Sequence, residues 1–488
     1  MTTLAVRAAE QAIERRFSEL ASGAGRDVGD AARAIAGEQV AERIGAHLGK
    51  EQAHALALIT GPERAAVLVG PAGTGKGVVI DAAARAEQLV GNRTFGIAVS
   101  GSTAQRLGHD SPALAGATLT LDALTVRAQI GRLAVDEHTT IYFDEAGMAD
   151  TERLGKLSEL VAQSGAKLIA IGDGAQLPSI GAGGMFERLS ELVPSAALSK
   201  VRRTLDPAEQ RAWADLRAGR SERAMAYYHS RGRLHMADTR DEALEYAVQS
   251  WAALTEEHPI EQFALISDAS NQEIHRLNAR AQHYRAERGE LGELEVEVPG
   301  VHYGLREGDR VALIEQHRQP GRPRIENGER GEVLGLSKMG ELRVRFDVTG
   351  RRRTFASEEL AKLRLGYAHH IHRAQGATVT RTLVLTGGWQ TSKEPAYVEA
   401  SRARGGTDWF VSREDLGVEG HDAERIKRLA HGMRQSRAQM PSLAYSEIAD
   451  VEHGLGLAQT LAPSHGRLLG RARGLLRLAE PPTHERAR

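Results

Sequence analysis

The sequence predicts an α/β protein with two parallel-sheet cores, a small β-rich insert and helical termini. Three observations carry this. Between about residues 65 and 200, short β-branched runs (AAVLVG, FGIAVS, TTIYFDE, KLIAIGD) alternate with helical stretches such as VVIDAAARAEQLV and TERLGKLSELVAQ. That alternation is the signature of a parallel sheet covered by helices. The pattern restarts with FALISD and NQEIHRLNARAQHYRAER, then resumes with TLVLTGG and WFVSRED, so a second core is expected. Between those pieces, GDRVALIEQ, GEVLGLS, ELRVRFDV and RRTFASE are short alternating strands with Gly turns, the pattern of a small barrel.

The remaining segments are helical or irregular. Residues 1–48 read as two helices split by SGAGRDVGD, and 206–255 as helical and rich in Ala and Arg. After about 419 the chain is helical, then loose. From Ser464 it holds six Arg and two Glu, and with Pro481 and Pro482 this end is expected to be disordered. A chain of 488 residues has room for more than one core. Its net charge of −1 sets up no global field toward DNA or membrane, so a nucleic-acid site must be a local patch. Of 63 basic residues only nine are Lys, a bias for which GC-rich coding is the simplest account. The absence of Cys excludes disulfides, thiol catalysis, Cys-ligated zinc and iron–sulfur clusters. The start, MTTLAVRAAEQAIERRFSEL, is amphipathic and charged rather than a signal peptide. No apolar run is long enough to span a membrane. A cytoplasmic location is expected.

Three loops carry chemistry. GPAGTGKG (Gly70, Pro71, Ala72, Gly73, Thr74, Gly75, Lys76, Gly77) follows the apolar strand AAVLV and opens a helix. Glycines let successive backbone N–H groups cradle phosphate oxygens, the helix N-terminus adds its dipole, and Lys76 neutralises the β- and γ-phosphates. One residue departs from this pattern. Gly77 stands where a Ser or Thr hydroxyl normally ligates Mg²⁺. In the second loop, IYFDEAG, an apolar strand delivers Asp144 and Glu145 to its C-terminal end. Asp144 suits Mg²⁺ coordination and Glu145 suits deprotonating an attacking water. In the third, IGDGAQLPSIGAGG, Gln176 carries an amide that can both donate to a phosphate and accept from water.

GPAGTGKG, FDEAGM, GDGAQLPSIGAGG, LSKVRRT, HRAQGATV and YVEASRAR resemble, in order over about residues 48–415, the motifs of superfamily one helicases. The likeness is to the five-prime to three-prime branch, which includes RecD-like helicases and the helicase part of conjugative relaxases of the TraA and TraI type. The resemblance implies two RecA-like domains with ATP and Mg²⁺ between them and single-stranded DNA across their tops. It divides the chain into a helical segment (1–48), a first RecA-like domain (49–200), a second in two parts (201–299 and 363–418), an SH3-like insert (300–362) and a helical, Arg-rich tail (419–488).

It also implies roles. Gln52 is the adenine-reading glutamine. Lys76, Asp144, Glu145, Gln176, Arg203 (or Arg202) and Arg402 are catalytic, with Asp144 on the metal. Gln375 and Gly376 help to bind nucleotide, and Ser102, Thr103, Thr118 and Thr378 contact DNA. For Ser102 and Thr103, helix capping is an equal alternative. Arg318, Arg322 and Arg324 in the insert either track a DNA backbone or form a solvated loop. His369-His370-Ile371-His372 superficially offers metal ligands, and His370-Ile371-His372 fits the two-histidine pattern of relaxase nickases, but it directly precedes RAQG in helicase order, and residues 1–48 are too short for the expected relaxase domain. Tyr367, Trp389, Tyr397 and Trp409 are expected in core packing. The implied activity is ATP-driven translocation on single-stranded DNA in conjugative transfer, beside a relaxase or other conjugation or repair protein. A non-catalytic DNA-binding module and a RecD-like subunit of a repair complex share the same motifs.

Overall fold

The computed structural model describes residues 4–23, 25–179, 181–337, 340–371 and 378–443. Gln375, Gly376, His372 and the Arg-rich end from Ser464 lie outside these.

The first core is a six-stranded parallel sheet in the order β3-β2-β4-β5-β1-β6. Its strands are β1 (Ala65–Val69), β2 (Arg93–Ala98), β3 (Thr118–Thr120), β4 (Thr139–Phe143), β5 (Lys167–Gly172) and β6 (Ser195–Ala197). The central strands β4 and β5 are buried along their whole length, as a sheet covered on both faces requires. One face packs on α1 (Leu4–Ser22), α6 (Leu121–Gln129), α7 (Thr151–Ser164) and α8 (Met185–Leu192). The other packs on α2 (Gly29–Ile44), α3 (Lys50–Ile59), α4 (Lys76–Leu89) and α5 (Gly101–Asp110). Spacing explains the first of these helices. Ile13, Phe17 and Leu20 recur on one side of α1 and are buried under the sheet.

The second core is a five-stranded parallel sheet, β16-β8-β17-β18-β7. It uses β7 (Leu234–Ala237), β8 (Phe263–Ser267), β16 (Ala368–His370), β17 (Arg381–Leu385) and β18 (Thr407–Ser412). α11 (Arg240–Glu257) and α12 (Asn271–Glu287) cover one face. α9 (Pro207–Arg217), α10 (Ser221–Ser230), α13 (Lys393–Ala400) and α15 (Asp422–Gly432) cover the other, and the short α14 (Arg413–Leu416) links β18 to α15. Two sheets of this kind make a pair of RecA-like cores.

Between β8 and β16 the chain forms a hairpin, β9 (Glu295–Glu297) with β10 (Gly304–Arg306), and an antiparallel sheet, β14-β13-β12-β11-β15. The sheet strands are β11 (Arg310–Leu313), β12 (Arg330–Leu336), β13 (Leu342–Phe346), β14 (Arg352–Phe355) and β15 (Leu363–Leu365). In β13, Leu342, Val344 and Phe346 turn inward while Arg343 and Arg345 face out, the alternation of a one-sided sheet. The insert reaches the first core at α5. Gly328 lies beside the Ser102 hydroxyl, and the Glu326 side chain packs on Gly101.

Several elements differ from the sequence reading. β7 lies in the stretch expected to be wholly helical, because its four residues, LHMA, carry no alternation long enough to see. β3, β6 and β16 are three-residue strands of the same kind. β15 extends the insert beyond residue 362, since Leu363 and Leu365 pair with Leu313 and Val311. Trp389 is a correction. It is 79% exposed on the Gly387-Gly388 turn, with the Arg437 guanidinium over its ring, whereas Tyr367, Tyr397 and Trp409 are buried.

Trp409 is fully buried and meets Tyr228 edge-on at 5.6 Å. Trp409→Ala should destabilise the protein by about 3–5 kcal/mol. A urea-unfolding midpoint equal to the wild type's would contradict this packing.

Candidate active site

β1 ends at Val69 and releases the glycine-rich loop. The Gly70 N–H donates to the Gly172 carbonyl (3.0 Å), which aligns the loop with the end of β5. Gly73 (φ 78°) and Gly75 (φ 87°) take the left-handed conformation. Space also demands glycine there. A Cβ on Gly73 would lie 2.5 Å from Arg203 Cβ, and one on Gly75 would lie 2.7 Å from Gln52 Nε2. Lys76 then begins α4, and its ammonium donates to the carbonyls of Gly70 and Pro71. Gln52 is buried beside the loop, its Oε1 accepting from the Gly49 N–H at 3.1 Å.

β4 ends at Phe143 and presents Asp144 and Glu145. Glu145 has φ 51° and ψ 41°, the one non-glycine residue with positive φ among the described residues. Such a conformation costs roughly 1 kcal/mol for a residue with a Cβ. It turns the chain sharply at the strand end, so both carboxylates border one cavity. Burial, then the neighbouring Glu145 charge, push the Asp144 carboxyl up to about 7. Gln176, buried in the turn after β5, borders the same cavity.

The opposite wall comes from the second core. Arg402 is buried at the end of α13, its Nε donating to the Val398 carbonyl (3.0 Å). Arg203, on the connection between the cores, donates to the Ser401 carbonyl. Burial, reinforced by the Arg402 charge, pushes Arg203 down to about 9, and burial also lowers Arg402. Arg404 and Thr378 complete this wall. Tyr397 joins the two cores. Its hydroxyl accepts from the Ala72 N–H (3.0 Å) and donates to Asp173 (3.0 Å), which Arg217 of α9 holds at 2.9 Å.

The cavity encloses about 1130 Å³. Lys76, Arg203 and Arg402 converge on it, and none makes an ion pair with a carboxylate among the described residues. Buried cations are costly unless paired. The arrangement therefore suits an anion carrying several charges. Asp144, a hard oxygen donor whose ionisation is costly until a cation arrives, suits Mg²⁺.

The structure brings most of the expected site residues together. Gln52, the loop from Ala72 to Gly77, Asp144, Glu145, Gln176, Arg202, Arg203 and Arg402 all border the cavity. Gly70 and Pro71 support the loop from behind. Thr378 and Thr103 border the same cavity. Ser102 and Thr103 stand in the first turn of α5, whose cap is Ser100, accepting from the Thr103 N–H at 3.1 Å. Thr118 packs its side chain against Gly96 and Gly108. Arg324 pairs with Glu326 within the insert. His369 is buried on β16 and His370 bonds Asn271 at 2.9 Å. Sequence reading missed Arg106, Asp110 and Arg404, which border the cavity, and the bridging role of Tyr397. Arg106 and Asp110 lie on the same helix as Ser102 and Thr103, and no spacing in the sequence marks them.

Two RecA-like cores with a phosphate-type loop, a strand-end Asp-Glu pair and arginines from the facing core define a P-loop protein. Residues 47–239 match the protein family described as an AAA domain. The chain is 28% identical over 399 residues to the conjugal transfer protein TraA of Agrobacterium fabrum, which covers 81% of this chain and 35% of that protein. A probable conjugal transfer protein TraA of Sinorhizobium fredii is 28% identical over 378 residues, covering 76% and 32%. The chain thus spans about a third of the length of these curated relatives. Among solved structures, a Pif1 helicase from Bacteroides in complex with ADP-AlF3 and single-stranded DNA aligns with a TM-score of 0.48 and 17% identity, over 74% of this chain and 92% of that one. The family match and the TraA likeness agree with the ordered motifs: the chain resembles P-loop helicases of the TraA and RecD type. Among the described residues, no helix is long and apolar enough to cross a membrane.

The raised Asp144 value has a consequence for stability. In protein stripped of nucleotide and metal, the folded state holds this proton more tightly than the unfolded chain. Its contribution is therefore full below the unfolded value near 4 and is lost as pH rises toward 7. Asp144→Asn should abolish that loss, so its stability relative to wild type should rise between pH 4 and pH 8 by about 1–3 kcal/mol. A difference that stays constant with pH, followed by urea unfolding, would contradict the burial of this carboxylate.

Proposed function

We propose that this chain is an ATP hydrolase whose turnover drives translocation on single-stranded DNA, in the five-prime to three-prime direction. The observation that carries the reading is the convergence of Lys76, Arg203 and Arg402 on one cavity that Asp144 and Glu145 also border. The nucleotide lies between the cores, with its base toward Gln52 and its phosphates in the loop from Gly70 to Gly77. Asp144 would hold Mg²⁺, which would supply charge neutralisation for the phosphates. Water attacks the γ-phosphorus, the bond to the bridging oxygen breaks, and Glu145 accepts the water's proton. Gln176 orients that water. Lys76, Arg203 and Arg402 neutralise charge developing on the transferred phosphoryl. Arg203 and Arg402 sit on the side of the second core, so the cores close on ATP and relax on ADP. Gln375 and Gly376, together with Thr378, would link that movement to DNA held near Ser102, Thr103 and Thr118. The TraA likeness supports a role in conjugative transfer, and the reading includes a relaxase or another conjugation or repair protein as partner and a cytoplasmic location. Translocation is the claim; strand separation is a further step.

Gly77 favours a second reading, a non-catalytic DNA-binding module. Steady-state phosphate release separates the two. Turnover should be measurable and should rise when oligodeoxythymidylate is added. Absence of turnover in both conditions would select the module.

Two substitutions should differ in kind. Lys76→Ala should weaken ATP binding by about 10-fold or more, since it removes a bond to a charged group in the ground state. Glu145→Gln should leave binding intact and lower kcat by about 100-fold or more. Equal, tight ATP binding by both variants would contradict these roles.

A further inference from the structure

Gly77 leaves the site without the hydroxyl that phosphate-loop proteins use on Mg²⁺. The space beside Gly77 is bordered by Asp110 and Ser111. A Cβ built on Gly77 would meet Asp110 Cβ at 3.6 Å and Ser111 Oγ at 3.9 Å, both ordinary contact distances. A side chain would therefore fit at 77, and the direction it would take is the one from which Asp110 approaches. Asp110 ends α5, borders the same cavity as Lys76 and Asp144, and keeps its side chain 54% exposed. Its position is pinned. The Ser111 hydroxyl donates to the Gly77 carbonyl (3.1 Å), and the Ala113 N–H donates to Asp81 of α4 (2.8 Å). Two bonds thus tie the turn after Asp110 to the first helical turns of α4. The Asp110 carboxylate also contacts His109 Nδ1 (3.2 Å), on the solvent side. Its charge reaches Asp144, where it adds to the upward push on that carboxyl.

We propose that Asp110 takes over the task of the missing hydroxyl, contributing to the Mg²⁺ that accompanies nucleotide, with Asp144 as the other protein carboxylate. The assignment rests on the nucleotide reading above. Mg²⁺ is satisfied by one or two carboxylates with phosphate oxygens and water, so the pair suffices. Among the described residues, no three acidic or histidine side chains come together into a metal cage, which fits a shell completed by phosphate and water. The exchange also explains why Gly is tolerated at 77. A hydroxyl there would duplicate a donor already supplied from α5.

The test follows binding of a fluorescent ATP analogue, N-methylanthraniloyl-ATP, in the full chain while Mg²⁺ is titrated, with EDTA as the zero point. Asp110→Asn should raise the Mg²⁺ midpoint by about tenfold, the scale of losing a metal-shell contact. Affinity in EDTA should be unchanged or tighter, because a negative charge beside the phosphates is gone. Gly77→Ser in the Asp110→Asn background should restore the midpoint. Asp110 is exposed, so the Asn variant should keep the wild-type melting temperature. If the wild type binds Mg²⁺ and nucleotide while Asp110→Asn keeps its midpoint, the assignment is wrong and the nucleotide reading stands. If Asp110→Asn shifts the midpoint but Gly77→Ser does not restore it, the carboxylate acts only through its general field and the assignment is again wrong. If the wild type binds no nucleotide with or without Mg²⁺, the nucleotide reading falls and takes this assignment with it.

Discussion

Cations held at one cavity without carboxylate partners are the constraint on which this structure turns. Lys76 comes from the first core, Arg203 from the connection and Arg402 from the second core. Their mutual repulsion and desolvation oppose a cleft that closes without an anion, and a polyphosphate reverses the sign of that opposition. The carboxylates Asp144 and Glu145 share the first-core wall with Lys76 and border the same cavity as the two arginines. A site of this polarity suits negative charge together with a divalent cation.

The fold makes this arrangement possible because both sheets are parallel. All strands of a parallel sheet end on the same side, so β1, β4 and β5 deliver the glycine-rich loop, the Asp-Glu pair and Gln176 to one edge. The strained backbone at Glu145 is the local cost of aiming a side chain from the end of β4. Tyr397 contributes a direct bond from the second core to the loop amide of Ala72 and to Asp173. Movement of one core relative to the other therefore acts on the loop itself, which is what coupling of nucleotide to motion requires.

Legibility in the sequence followed length and chemistry. The central strands AAVLV, TTIYF and KLIAIG were readable because continuous apolar runs of three to five residues, flanked by β-branched residues, Gly or charge, admit few other structures. The edge strands β3, β6, β7 and β16 were not, since three or four residues carry no periodicity and their pairing is decided by neighbours far along the chain. Site residues inside short motifs were readable because glycine, lysine and paired acids have a shared chemical purpose. Arg106 and Asp110 were not, because their approach to the cavity depends on how α5 crosses α4. Trp389 was misread because composition alone does not distinguish a buried aromatic from one standing on a glycine turn beside Arg437.

The central claim is that nucleotide charge decides how the two cores stand against each other, and a distance measurement tests it most directly. The chain has no Cys, so cysteines introduced at Val126 of α6 and Glu222 of α10, both exposed, can carry spin labels alone. Their separation would be followed by pulsed electron resonance without nucleotide, with ADP, and with a non-hydrolysable ATP analogue and Mg²⁺. The account predicts a single, narrower distribution with the ATP analogue, and a different, broader one with ADP or without nucleotide. Identical distributions in all three conditions, with nucleotide binding confirmed in the same sample, would contradict it.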